Sequence, residues 1–173
     1  MTPGFAVRLQ SMRRALTTVI MPAIDPSNQI AQEQAALMVG HIAMLSTQWE
    51  RMDDYARLCL ADLVDLARRL EAKGGPATQA AADALAALSQ RQPRSAETAY
   101  LEISAAIESL VRAADVDGDP AFRATLHCEV LLGGNRQAAR DRAWFIACGF
   151  DVNAGELTSI ETLLGEGEAI ARG

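Results

Sequence analysis

The sequence predicts an all-α protein: an antiparallel bundle of about four main helices with shorter ones beside them. Hydrophobic residues make up 50% of the 173 positions, with alanine prominent, whereas aromatic residues make up only 5%. Helices favour alanine, leucine, glutamate and arginine, while strands favour aromatic and β-branched residues. No stretch alternates convincingly between polar and apolar residues, as a half-buried strand would. We therefore expect a single helical-bundle domain over residues 1–173, with a frayed tail over 165–173.

Helix starts are marked by residues that cap an N-terminus. Thr2, Asp25 and Asp119 each precede a proline suited to the first helical position. Ser95 begins another helix, and Asn153 with Glu156 has capping-box spacing. Together with the turn residues between them, these starts predict helices over 3–21, 26–73, 77–91, 95–114, 120–132, 136–148 and 154–164.

The first predicted helix carries one apolar stripe. Its members recur at helical spacing and are Phe5, Leu9, Met12, Leu16, Val19 and Ile20. Met21 precedes Pro22, and a residue before proline is biased away from the helical region. We therefore expect this helix to end at Met21.

The segment from Pro26 to Lys73 is unusually long for one helix. It contains no Gly-Pro punctuation, and a continuous helix would be about 70 Å long. Either it breaks near Thr47, which has capping-box spacing to Glu50, or it is one helix that packs beyond its own subunit. Of these two alternatives we favour a long helix with a bend.

Two glycine positions carry further predictions. Gly133 and Gly134 either break a helix, with Asn135 as the next cap, or allow a close crossing within one helix. Gly149 followed by Phe150 is typical of a helix C-terminus with its hydrophobic contact.

Charge and composition exclude several partners. A net charge of −6 disfavours nucleic acid, which binds clustered lysine and arginine. The longest apolar stretch, from Ala35 to Leu45, is too short to cross a membrane, and the first residues lack the apolar segment of a secretory signal. Three cysteines without metal or redox spacing are expected to be core residues and favour a reducing cytoplasm; they are Cys59, Cys128 and Cys148.

Motifs for catalysis or cofactor binding are missing. The acidic loop Asp115 to Asp119 begins like a calcium loop, but Pro120 and Leu126 replace its essential glycine and glutamate. Neither His41 nor His127 has the glutamate three residues earlier that a di-iron bundle uses. We therefore predict no metal and no cofactor, and we favour a non-enzymatic protein over an enzyme.

One polar pattern remains, a set of residues spaced by seven that we call the polar seam: Gln34, His41, Gln48 and Tyr55. Seven helical steps return to within about 20° of the start, so these residues share one helix face with apolar side chains. We predict that the seam lies within a buried stripe. It forms either a hydrogen-bond network that sets helix register or the lining of a pocket that includes Trp49.

Three functional hypotheses follow. The first is a non-enzymatic protein that acts through assembly, as a homodimer or accessory subunit, because the long helix and the apolar surplus exceed what one small bundle covers. The second is a binder of a small apolar or acyl-like ligand near His41, with Gln34, Gln48, Trp49 and Tyr55 as the other binding residues. The third is an enzyme with His41 as general base, which requires a carboxylate from another helix. The apolar cluster Trp144 to Ile146 is expected to be a packing anchor or an interface patch.

Overall fold

A computed structural model describes residues 4–146 and 151–171, with side chains described up to residue 165 in the last helix. Over these residues the chain is almost entirely helical and contains no strand, which confirms the predicted all-α fold. The chain divides into two compact units. Unit 1 comprises Met1–Met52 and Arg140–Ile160, and unit 2 comprises Asp53–Ala139 and Glu161–Gly173. Among the described helices, none is both long enough and apolar enough to cross a membrane.

Unit 1 opens with a helix that passes through a proline. Helix α1, Phe5–Ala15, continues through a π-helical turn, Leu16–Ile20, into the short helix α2, Met21–Ala23. The prediction that the helix ends at Met21 is therefore wrong. A π turn shifts the backbone hydrogen bonds by one residue, and this altered register accommodates Pro22, which has no N–H to donate.

Helix α3, Gln29–Gln48, begins three residues later than the predicted start at Pro26. The Asp25 carboxylate accepts hydrogen bonds from the backbone N–H and the hydroxyl of Ser27, both at 2.8 Å. Asp25 therefore closes its own turn, and Asn28 caps α3 instead by accepting from the N–H of Ala31 at 3.1 Å.

The segment from Pro26 to Lys73 is helical without a gap from residue 29 to residue 69, which agrees with the predicted long helix with a bend. A 3₁₀ turn, Trp49–Arg51, joins α3 to α4, Met52–Arg69. The predicted cap is not used, because the Thr47 hydroxyl donates back to the carbonyl of Met44 at 2.9 Å.

Unit 2 is a bundle whose core is shared by four helices. These are α4, α5 (Pro76–Gln90), α6 (Ala96–Asp117) and the part of α7 (Pro120–Trp144) that belongs to unit 2. The core side chains come from all four and are Leu66, Leu85, Ile103, Ile107, Leu110, Ala114, Phe122 and Leu126. The predicted caps hold here, since Ser95 accepts from the N–H of Thr98 and Asp119 accepts from the N–H of Phe122, both at 3.1 Å.

Helix α7 is continuous through Gly133 and Gly134, which confirms the close crossing and excludes the break. A Cβ atom on Gly133 would lie 3.2 Å from Cδ2 of Leu66 on α4. The missing side chain therefore lets α7 and α4 approach closely within unit 2.

Helix α6 continues to Asp117, so the first three residues of the predicted acidic loop are helical, and Asp117 binds the start of α5. The Asp117 carboxylate accepts from the N–H of Ala77 at 2.8 Å, the N–H of Thr78 at 2.9 Å and the hydroxyl of Thr78 at 2.6 Å. The α4–α5 loop also contacts the end of α6 and the residues after it, because the Gly75 N–H donates to the carbonyl of Asp117 at 2.8 Å and the Asp119 N–H donates to the carbonyl of Lys73 at 2.9 Å. Asp117 thus caps α5 from a distant part of the sequence, which explains its position without a bound metal.

Replacing Asp117 with asparagine is expected to destabilise unit 2 at neutral pH and to flatten its acid dependence. Hydrogen bonds from the Thr78 hydroxyl and the Ala77 N–H hold the pKa of the Asp117 carboxyl below its ordinary value. The carboxylate therefore stabilises the fold above the ordinary aspartate pKa of about 3.9, and this stabilisation is lost as pH falls through the lowered pKa. Urea unfolding at pH 7 and pH 3 measures the free energy of unfolding of each variant. Asp83→Asn on α5 is the control.

The C-terminal part departs from the prediction. A short 3₁₀ turn, Ala154–Glu156, precedes helix α8, Ile160–Ala171. The last helix therefore begins six residues later than predicted and continues into the tail that we expected to fray. The predicted helix end at Gly149 and Phe150 lies outside the described residues, as does Cys148.

The remaining two cysteines differ. Cys59 is buried, as expected of a core residue, whereas Cys128 is exposed on α7, so the prediction that Cys128 lies in the core is wrong. The position of Cys128 follows from helix geometry, because it lies about 160° around α7 from the buried Leu126, measured in the shorter direction.

Candidate functional site

The polar seam does not lie within one buried stripe. Gln34 and His41 are both exposed on α3, so the prediction that these two lie in a buried face is wrong. Their apolar neighbours on the same face of α3 are exposed as well, with Ile30 at 75% and Met38 at 55% exposure. We call Ile30, Gln34, Met38 and His41 the α3 stripe. The periodicity identified one helix face correctly, but no described residue of the chain covers this part of it.

Gln48 lies on the same face at the end of α3, but in a buried environment. Its side chain is buried, with 1% exposed, and its amide nitrogen donates to the backbone carbonyl of Trp144. Trp144 is itself buried, as expected of a packing anchor, although its neighbour Phe145 is exposed. Gln48 therefore acts as a joint between α3 and the end of α7 inside unit 1.

Trp49 belongs to unit 1, whereas Tyr55 belongs to unit 2. The Trp49 ring packs against Phe5, with ring centroids 5.2 Å apart and an interplanar angle of 58°. In unit 2, the Gln137 amide nitrogen lies 3.5 Å from the Tyr55 hydroxyl and 3.3 Å from Sγ of Cys59. The contacts described for Gln48, Trp49 and Tyr55 are thus with residues other than His41.

Exposed apolar residues also follow α1. Leu9 and Leu16 of its predicted stripe are buried, whereas Phe5, Met12 and Val19 of the same stripe are about half exposed or more. These three recur every seven residues, so α1 buries one edge of its apolar stripe and leaves the other open. Helices α1 and α3 pack together in unit 1, and both expose large apolar side chains.

Unit 2 contains a half-open cleft with a volume of about 370 Å³. Helices α4, α6 and α7 form it, and most of its inner surface is apolar. The apolar and glycine lining is Leu63, Leu66, Ile107, Val111, Val130, Gly133 and Gly134; the polar lining is Cys59, Asp62, Tyr100, Ser104, Glu108, Arg136 and Gln137. None of the five predicted site residues lines this cleft, although Tyr55 lies next to it through Gln137.

The charged groups of the cleft are already paired within unit 2. The Arg136 guanidinium lies 3.5 Å from the Asp62 carboxylate, and Arg112 forms a hydrogen bond with Glu108. All these side chains are partly open to water, so each pair is worth little energetically but neutralises charge at the mouth of the cleft. The cleft therefore offers an apolar interior without an unpaired cation for an anion.

Gly134 lines the cleft, and no close helix contact requires a glycine at this position. A Cβ atom there would meet no protein atom within 4 Å, in contrast to Gly133, which faces Leu66. A glycine inside a helix costs about 1 kcal/mol relative to alanine. The close helix crossing explains Gly133, whereas at Gly134 the structural consequence of the missing side chain is open space in the cleft wall.

Acid–base and metal chemistry find little support. In the part of the chain that the structure describes, no carboxylate oxygen lies within 4.0 Å of an imidazole nitrogen of His41, and no group of three metal-ligating side chains forms. His127 has such a carboxylate, with its Nε2 atom 3.6 Å from Oδ1 of Asp115, but both side chains are about half exposed. This geometry is that of a surface pair.

Comparison with protein families, curated proteins and solved structures finds no match to this chain.

Sequence reasoning missed the cleft because its residues come from three distant segments. One sequence feature could have indicated it. Tyr100, Ser104, Ile107 and Val111 recur at helical spacing on α6, beside the core face that holds Ile103. Tyr100 and Ser104 place two hydroxyl groups on an otherwise apolar stripe, as the polar seam places polar groups on α3.

Proposed function

We propose that this protein acts through assembly as a homodimer, without catalysis of its own, and that α1 and α3 of unit 1 form the interface. The proposal depends mainly on the exposure of the α3 stripe. Ile30 and Met38 are exposed to solvent there, on a helix face that the periodicity predicts to be apolar.

The small core of unit 1 supports the proposal. Among its described residues only six are buried: Leu9, Leu16, Ala35, Gln48, Ala143 and Trp144. Large exposed apolar side chains are more numerous on α1, the π turn and α3, where they are Phe5, Val7, Met12, Val19, Ile20, Ile30 and Met38. Val7 lies about 160° around α1 from Phe5. The other six, at roughly 80–100 Å² each, supply about 500–600 Å² of the area of about 800 Å² that each partner contributes to a standard interface.

The chemistry of the α3 stripe favours a second copy as partner. In a two-fold interface, residue i of one chain contacts residue j of the other and j contacts i, so the surface must be self-complementary, and residues at the axis meet their own equivalents. Ile30 and Met38 satisfy this through apolar packing. The amide of Gln34 both donates and accepts hydrogen bonds, so it can pair with the same amide on a second chain.

The expected compartment is the reducing cytoplasm. Neither Cys59 nor Cys128 forms a disulfide bond, and Cys128 is exposed. A reducing compartment keeps such an exposed thiol from forming disulfides between chains.

Replacing Met38 with lysine is expected to convert the dimer to a monomer. Met38 is 55% exposed in the single chain, so a lysine there leaves the fold of unit 1 intact, but it would place two charges in an apolar interface. Light scattering coupled to size-exclusion chromatography at micromolar concentration measures the mass.

The matched control is Ala36→Lys on the same helix. Ala36 is exposed and lies about 160° around α3 from Met38, and its replacement changes the net charge identically. A dimer that survives Ala36→Lys and is lost with Met38→Lys supports the proposed interface. Equal masses for the two variants would place the interface elsewhere or show that there is none.

A further inference from the structure

We propose that the cleft of unit 2 binds a small, neutral, predominantly apolar molecule. This site is separate from the assembly face of unit 1, and it does not involve the residues that the sequence pattern suggested. Its volume of about 370 Å³ lies at the lower end of the range for small-molecule sites.

The charges of the cleft determine the class of ligand. Asp62 and Glu108 are carboxylates, and the only cation in the lining, Arg136, lies beside Asp62 at 3.5 Å. An anionic ligand would have to displace Asp62 from Arg136 and approach a second carboxylate. A neutral molecule incurs neither penalty, which disfavours fatty-acid anions and phosphates.

Polar groups on α6 are placed where they could orient a bound ligand. The Ser104 hydroxyl lies in the lining and makes no hydrogen bond with another described residue. The Tyr100 ring lies one helical turn earlier on the same face. A ligand with an aromatic or hydrocarbon body and one hydrogen-bonding group therefore fits this wall.

The open space at Gly134 is a second observation that supports ligand binding in the cleft. A Cβ atom at this position would meet no protein atom within 4 Å, and Gly134, although exposed, lines the cleft. Glycine is unfavourable in the middle of a helix, so a position with no close backbone crossing is explained by the volume that it leaves for a ligand.

The test uses a matched pair of fluorescent probes with the full chain. N-phenyl-1-naphthylamine is neutral, and 1-anilinonaphthalene-8-sulfonate has a similar aromatic body with a sulfonate. We expect saturable binding of the neutral probe, with the sulfonated probe weaker by at least about tenfold, which corresponds to 1.4 kcal/mol.

Two variants fill the cleft from different helices, Gly134→Leu on α7 and Ser104→Leu on α6. Each is expected to weaken binding of the neutral probe at least about tenfold. The matched controls are Asn135→Leu and Ser109→Leu, which add the same side chain at exposed neighbours outside the lining. Far-UV circular dichroism verifies the helical fold of each variant.

Met38→Lys separates this proposal from the assembly proposal, because it alters unit 1 and is expected to leave probe binding unchanged. Equal probe affinity in filling and control variants would overturn the proposal, as would the lack of saturable binding. Stronger binding of the sulfonated probe at the same cleft would overturn the assignment of a neutral ligand.

Discussion

Replacing Leu110 with alanine is expected to lower the free energy of unfolding of unit 2 by about 3–4 kcal/mol, as for fully buried leucines in other proteins. Leu110 is 0% exposed and lies at the centre of the core that α4, α5, α6 and α7 share. Alanine would remove apolar surface from this core and leave a cavity that four packed helices can close only in part.

The control for this prediction lies on the same helix. Leu101 on α6 is 62% exposed, so Leu101→Ala is expected to change stability by less than about 0.5 kcal/mol. Urea unfolding followed by far-UV circular dichroism compares the two variants. Similar losses at the two positions would mean that the core of unit 2 is not packed around Leu110.

Replacing Gln48 with leucine is expected to destabilise unit 1 by about 1–3 kcal/mol, the cost of a buried polar group that loses its partner. Leucine keeps most of the volume but removes the donor that satisfies the buried carbonyl of Trp144. Such a loss of stability would show that Gln48 holds α3 to the end of α7, a structural role and not a ligand-binding one.

Tryptophan fluorescence measures this effect in unit 1, because both tryptophans of the chain, Trp49 and Trp144, belong to that unit. Gln29→Leu is the matched control, since Gln29 is exposed at the start of the same helix. If the unfolding midpoints of Gln48→Leu and the unchanged protein coincide, the hydrogen bond to Trp144 does not stabilise unit 1.

Helix starts and helix content could be predicted because they depend on local chemistry. Ser95 and Asp119 cap α6 and α7 through hydrogen bonds to N–H groups two or three residues away, and such contacts are visible in the sequence. Asp25 shows the limit of this approach. Its carboxylate also acts locally, but on Ser27, so the same residue type closed a turn instead of starting α3.

The polar seam could be placed on one face of α3 but not in a core. Periodicity defines which residues share a face, and it carries no information on which segment covers that face. The end of α7 covers Gln48, while Gln34 and His41 stand open on the same helix. This difference arises from tertiary packing, which the spacing of seven does not encode.

The cleft of unit 2 could not be derived from local patterns for a related reason. Its walls join Leu66, Ile107 and Gly134, which are far apart in the chain. The glycine pair was correctly singled out as a close crossing, but only Gly133 makes that crossing. The distinct role of Gly134 becomes visible once the atoms around each position are known.

The measurement that tests the central claim most directly is the mass of the unchanged protein in solution. Sedimentation equilibrium at micromolar concentration is expected to give twice the chain mass of 18.5 kDa, because the proposed dimer would cover the α3 stripe with a second copy. A mass of 18.5 kDa throughout that concentration range would contradict the account, since Ile30 and Met38 would then remain in water with no partner chain.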